Sequence, residues 1–565
     1  MQSGMRTVVA VSLVVAACGP FPGAWPLDAR RGAAAGREAM VVTASPLASA
    51  VGRDILRAGG NAVDAAVAVG FALAVVHPSA GNIGGGGFLL VRLPSGETAA
   101  LDYRETAPGG ATPDMYRDST GAVTDAGVVG HRAAGVPGSV AGLAEAHRRY
   151  GRLPFARLVA PAVALARDGF VLDEARADGL RAAADRLAQF PASARQFLPG
   201  GEPPDAGSRL VQPDLARTLE AIADSGARVF YAGSIAERIV AEMARGGGLI
   251  TRADLAQYEP HWREPVQFTY RAYTVLSMPP SSSGGVTLAE ILNMLEGPEP
   301  LPPFGSADHV HRLTEVMRRA FADRNHYLGD PAFVTMPVAT LVSQAYADAR
   351  RADIAPGRAT PSIEIGSGRA EGMHTTHYAV VDGEGMAVSA TTTINSGFGS
   401  GVTVTGAGFL LNNEMDDFTS APGQPNQFGL VQGEANAIRP GKRMLSAMTP
   451  TLVLDPAGRL FLLLGSPGGP TIITTVAQVI SNVIDYGMTL PQAVAAPRVH
   501  HQHLPDTLRW EHRGLRASTV RRLTAMGHAL AERRDYSGEV AAIMRTDRGW
   551  LGVPDPRMYG GAAGY

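Results

Sequence analysis

Between Pro356 and Met373 this chain runs through a polar stretch of low complexity, and the patterning on its two sides differs in kind. Before it, from about Gly138 to Tyr327, apolar residues recur mostly at helical spacing, most clearly at 140–147 and 310–327. After it, short runs rich in Val, Ala and Thr are bounded by turn residues such as Asp382-Gly383-Glu384-Gly385, which predicts strands over 376–382, 386–395, 451–455 and 460–464. Helical spacing returns at 472–486 and 517–526. Helices around a block of neighbouring strands bury both kinds of apolar surface in a layered helix-sheet-sheet-helix body built from both halves. The connector is where a flexible, cleavable link would lie.

The first half carries a second constraint. Small and apolar residues from Ser45 to His77 have the density of a tightly packed buried helix, Gly84-Gly85-Gly86-Gly87 follows, and Phe88-Leu89-Leu90-Val91 reads as a buried strand. Helix, glycines, strand is the reverse of a dinucleotide fingerprint, and the lysine and Ser/Thr of a phosphate loop are missing. The four glycines are therefore expected to let backbones approach closely. With 45% hydrophobic and 18% charged residues the chain is globular, and 50 Lys plus Arg against 52 Asp plus Glu, without a long basic run, exclude a nucleic-acid footprint. A small molecule is the expected partner. The single lysine, Lys442, has no surroundings that suggest a cofactor pocket, so no cofactor is expected.

At the start, Arg6 precedes the apolar run Thr7–Ala17, too short to span a bilayer and placed like a secretory signal. Cys18, the only cysteine, closes Val15-Ala16-Ala17-Cys18, which looks like a bacterial lipoprotein cleavage box; an ordinary signal peptide cut slightly later is the alternative. Either implies export to the periplasm or beyond, with any membrane attachment through lipid on Cys18. Residues 1–18 are thus a signal, and the Pro-, Gly- and Ala-rich 19–40 a flexible tether. His500, His501 and His503 lack catalytic zinc spacing and a helical Glu partner, so they are expected to be structural and no metal site is predicted.

His374-Thr375-Thr376-His377-Tyr378 stands where the connector meets the first strand of the second half. Downstream come Thr391-Thr392-Thr393-Ile394-Asn395-Ser396-Gly397-Phe398-Gly399, Asn412-Asn413-Glu414-Met415-Asp416-Asp417-Phe418, Arg443-Met444-Leu445-Ser446-Ala447-Met448-Thr449-Pro450 and Gly465-Ser466-Pro467-Gly468-Gly469. In this order and spacing they resemble the small subunit of γ-glutamyltranspeptidases. The glycines at 84–87, Asp102-Tyr103-Arg104-Glu105-Thr106 and Tyr327-Leu328-Gly329-Asp330-Pro331 are similar to that family's large-subunit motifs, and the resemblance runs from about Val41 to Tyr565.

The resemblance implies an α+β fold, the four-layer αββα sandwich of N-terminal nucleophile hydrolases, formed jointly by a large subunit, 41–374, and a small one, 375–565, after self-cleavage between His374 and Thr375. A threonine hydroxyl needs a base, and a chain that begins at threonine supplies one in its own α-amine, with a pKa of about 7.7–8.0. Thr393 would steer the nucleophile, and Gly468 and Gly469 would offer N–H groups to the oxyanion. For a free γ-glutamyl group, Arg104 and Ser446 match the carboxylate contacts, and Asn395, Glu414 and Asp417 the ammonium contacts; a purely structural Arg104–Asp417 ion pair is the alternative. The implied substrates are glutathione or other γ-glutamyl compounds, with water, amino acids or dipeptides as acceptors.

Two departures stand out. The family often has two adjacent serines where this chain has Ser446-Ala447, and the lid-like segment 422–430 carries Phe428 in place of the usual tyrosine. Losing one hydrogen bond to a charged group costs about 1.5–3 kcal/mol. That leaves two competitors: a glutaryl-cephalosporin-type β-lactam acylase on the same scaffold, and an unprocessed, non-catalytic periplasmic binding protein.

Overall fold

The computed structural model describes residues 25–297, 300–364, 375–420 and 424–565. The signal segment with Cys18, the end of the connector with His374, and Pro422 of the lid lie outside the described residues.

Two seven-stranded sheets carry the fold, and their strands are numbered here in chain order. They are β1 (Ala34–Gly36), β2 (Met40–Thr43), β3 (Gly86–Arg92), β4 (Thr98–Tyr103), β5 (His261–Arg263), β6 (Val266–Tyr270), β7 (Tyr273–Ser277), β8 (Thr376–Val381), β9 (Ala387–Thr393), β10 (Thr451–Leu454), β11 (Leu460–Gly465), β12 (Ala541–Thr546), β13 (Gly549–Pro554) and β14 (Gly561–Gly564). One sheet has the order β1-β13-β12-β11-β10-β7-β6, the other β14-β2-β8-β9-β3-β4-β5. All neighbours in both are antiparallel.

Side-chain alternation sorts the core into three apolar layers. In β3, Phe88 and Leu90 face the opposite sheet and meet Leu452, Leu463 and Ile543, while Leu89 and Val91 face helices α1 (Pro46–Arg57) and α2 (Ala62–Val76). The outer face of the other sheet, with Val453, Leu462 and Leu464, packs on α4 (Gly284–Leu295), α5 (Ala307–Tyr327) and α6 (Thr471–Ile484); α3 (Glu174–Ala188) lies near the first helical layer. The result is the αββα sandwich. Strands buried on both faces read as continuous apolar runs rather than alternating ones.

Three expectations need correction. The single buried helix over 45–77 is two helices, because Gly59-Gly60 ends the first and the Asn61–Asp64 capping box starts the second. The mostly helical region 138–327 contains β5, β6 and β7. Part of the expected tether is built into the body: Ala34, Ala35 and Gly36 pair with Gly552, Leu551 and Trp550.

The central pair β8 and β9 opens the second half of the sequence, yet β8 borders β2 and β9 borders β3, both from the first half. The two halves are therefore woven into one sheet.

Candidate active site

Thr376 pairs with Thr392, so the residue before β8 lies opposite the last residue of β9. That register brings Thr375 Oγ1 to 3.4 Å from Thr393 Oγ1, in a buried position. Thr393 is held by its neighbours: Asn82 Nδ2 donates to its carbonyl at 2.8 Å, and its hydroxyl accepts from Asn395 N at 2.7 Å. Asn82 also accepts from Gly85 N at 2.9 Å and from Ser139 Oγ at 2.7 Å, which ties the glycine run to the strand end. The glycines are needed there. A Cβ on Gly85 would stand 2.1 Å from Thr393 O, and one on Gly84 2.1 Å from Leu410 O.

Gly468 and Gly469, which line cavities together with Thr375, turn into the N-terminus of α6 with φ of 134° and 54°. A side chain at either would be strained. Among the described residues no acceptor within the chain takes either N–H, so both are free to meet negative charge developing at Thr375, with the helix dipole in support.

A cleft enclosing about 330 Å³ is lined by Thr375, Thr393, Asn395, Glu414, Asp417, Ser446, Ala447, Gly469, Phe428 and Arg104. Arg104 is fully buried, its Nη1 2.6 Å from Glu414 Oε2 and 3.4 Å from Glu105 Oε2, its Nη2 paired with Asp417, and its Nε 3.3 Å from Met444 O. The Arg104–Asp417 pair thus exists, and it forms a wall of the cleft rather than a distant brace. Burial raises all three carboxyls against the pull of Arg104: Glu105 to about 7, Glu414 well above the usual range, and Asp417 upward. The group keeps a proton near neutrality.

Sequence reasoning missed Arg324, which projects from α5 into the same cleft. Its Nε donates to Ser283 Oγ at 2.9 Å and its Nη1 to Asn325 Oδ1 at 2.9 Å; no carboxylate among the described residues forms an ion pair with it. Burial lowers it to about 10, so it stays charged at neutral pH. Phe428 closes the cleft, with Gln502 Nε2 donating to its carbonyl at 3.0 Å, while Gln427 N donates to Asp416 Oδ2 at 3.0 Å and Ser396 Oγ to Gln427 Oε1 at 2.6 Å. Sequence gave no signal for these latches, because each partner is an ordinary polar residue until the lid is laid on it.

The three clustered histidines serve separate contacts. His500 meets Thr474 and Gln502, each at 2.9 Å, and His501 meets Asp506 at 3.3 Å. Among the described residues, the side chains close enough to share an ion are instead His311, Glu315 and His528, where Glu315 is already paired with Arg318 and Arg319.

A family model described as Gamma-glutamyltranspeptidase matches residues 48–565. The chain is 47% identical over 527 residues to the glutathione hydrolase proenzyme of Escherichia coli (strain K12), covering 92% of this chain and 90% of that protein. Among solved structures it is similar to the cephalosporin acylase from Bacillus halodurans, with a TM-score of 0.84 at 30% identity over 96% of this chain and 99% of that one. It is also similar to the γ-glutamyltranspeptidase of Helicobacter pylori, with a TM-score of 0.56 at 45% identity over 57% of this chain and 93% of that one.

Proposed function

The chain belongs to the γ-glutamyltranspeptidase family, and from that membership and the surroundings of Thr375 we infer that it is a γ-glutamyl hydrolase and acyltransferase with a threonine nucleophile, acting on glutathione or related γ-glutamyl amides. In maturation, Thr375 Oγ attacks the carbonyl carbon of His374, the acyl group moves from nitrogen to oxygen, and water hydrolyses the ester. This frees the carboxylate of His374 and the α-amine of Thr375. In turnover that amine takes the hydroxyl proton as Oγ attacks the γ-carbonyl. The oxyanion forms against the N–H groups of Gly468 and Gly469, which typically contribute about 2.7–4 kcal/mol per donor. The leaving amine departs with the proton, and water or an amine acceptor resolves the ester.

One observation carries this reading: Thr375 lies 3.4 Å from a second threonine hydroxyl and shares cavity walls with two glycines whose N–H groups are unused at a helix start. The cleft supports the γ-glutamyl assignment over a glutaryl one. A glutaryl chain has a carboxylate and no ammonium, whereas this cleft sets Glu414 and Asp417 beside the guanidiniums of Arg104 and Arg324 and so offers partners for both charges of a γ-glutamyl group. Arg324 also supplies a cation near Ala447, where a serine contact is lacking. Arg104 and Ser446 would take the α-carboxylate, and Asn395, Glu414 and Asp417 the ammonium.

Thr375→Ala removes the attacking atom of both reactions, so the variant should run as one uncut, inactive chain of 58.9 kDa less any signal, where the wild type gives two bands and the smaller begins at Thr375. Two normal subunits from the variant would sink the assignment. Export belongs to the same proposal and rests on Arg6, the run Thr7–Ala17 and Cys18. Labelled palmitate should enter the wild type and not Cys18→Ser; a cytoplasmic protein retaining residues 1–17 would overturn export in either form.

A further inference from the structure

A second, larger cavity opens on the far side of Thr375. It encloses about 1300 Å³ and shares Thr375 alone with the first cleft; it takes Gly468 where the first takes Gly469. The nucleophile thus stands at a neck between two rooms. An amide substrate has two parts, acyl and amine, joined at the atom Thr375 attacks. With the acyl part among Arg104, Ser446 and Asp417, the amine part has this cavity to occupy.

Its charged wall is uneven. Glu539, the carboxyl in its lining, is pushed up to about 7 by burial; Arg176 is paired with Asp173, and Arg557 with Glu511 and Asp555. Arg186, on α3, is different: no ion pair among the described residues involves it. Its Nη2 donates to Gly397 O, and its Nε is buried without an acceptor. Burial lowers its pKa with no carboxylate opposing the shift. A half-buried guanidinium that meets a carbonyl through Nη2 and nothing through Nε keeps hydrogen-bonding capacity for an anion that enters the cavity.

We propose that Arg186 binds the carboxylate of the amine part: the C-terminal carboxylate of the amino acid or peptide that leaves, and, since the reverse step uses the same path, that of an incoming amino-acid or peptide acceptor. The planar fork suits a carboxylate, and its anchor on Gly397 fixes it two residues from Asn395 in the acyl cleft. This rests on the function proposed above, with Thr375 as nucleophile and the γ-glutamyl group in the smaller cleft. Bond changes are those already given; Arg186 moves no proton.

Two chromogenic donors separate the contributions: γ-glutamyl-p-nitroanilide, whose leaving group has no carboxylate, and γ-glutamyl-3-carboxy-4-nitroanilide, whose leaving group has one. In Arg186→Gln, purified as two chains, the kcat/KM ratio of carboxylated to plain donor should fall about 10- to 100-fold, and Arg186→Lys should fall between. Equal losses on both donors, or no change in the ratio, would overturn the site. The wild type offers a test without any variant: glycylglycine should outcompete glycylglycinamide as acceptor by a similar factor, and parity would overturn the proposal. If cleaved wild type turns over neither donor, the γ-glutamyl reading fails, and this site with it.

Discussion

Arg104 shows how one residue can be legible in sequence and still be misjudged. Its motif placed it in the site, but only the fold reveals that three carboxyls crowd it and that burial holds a proton among them. In the substrate placement proposed above, that proton competes with the donor's ammonium. As pH rises through about 7, the value to which Glu105 is pushed, the group gains negative charge and should bind the ammonium better. The KM of a γ-glutamyl donor should therefore fall by up to about tenfold between pH 6 and 8. Glutaryl-p-nitroanilide, which has no ammonium, should show no such fall; a donor KM independent of pH would contradict the shared proton. Arg324 and Arg186 were not legible because each sits in a helix with other arginines, and only packing decides which guanidinium faces a cavity.

The strands beside the nucleophile were the easiest elements to read, since β8 and β9 fall within a residue or two of the expected 376–382 and 386–395. The stretch 261–277 was overlooked because three short strands lie between long helical patterns, and their length is too small to set a period. The glycine run was read for the right reason, close backbone approach, without its consequence. Gly85 is the contact through which β3's entry presses on the end of β9. Gly85→Ala puts a methyl 2.1 Å from Thr393 O and must push that strand end aside. The expected cost is about 1–3 kcal/mol, read as a lower urea midpoint, together with slower self-cleavage because Thr393 moves from Thr375. Normal cleavage in a destabilised variant would separate the glycine from the nucleophile's geometry.

Across the whole molecule, burial sets opposing responses to acid. His309, His377, His500, His501, His503 and His528 are held at about 3 to 4, so below pH 6.5 the unfolded chain takes up protons that the folded one refuses, and stability drains away. Glu105, Asp416 and Glu539, held at about 7, and Glu290 and Glu414, held well above the usual carboxylate range, act the other way: between pH 7 and 4 the folded chain binds more protons and gains stability. Below about pH 4 the carboxyls stop compensating. The urea midpoint of uncut Thr375→Ala should change little from pH 7 to 5 and drop steeply below about 4.5; a steady decline from pH 7 would mean those carboxyls titrate normally. The uncut form is the one to measure because of the weave of β8 between β2 and β9. Self-cleavage creates a new chain end inside a sheet that must already exist for the cut to occur, so assembly precedes scission and scission erases the route back. Two separated pieces must find each other by collision, and their reunion depends on concentration. The working enzyme's lifetime is then set by how slowly it comes apart, not by how readily it re-forms.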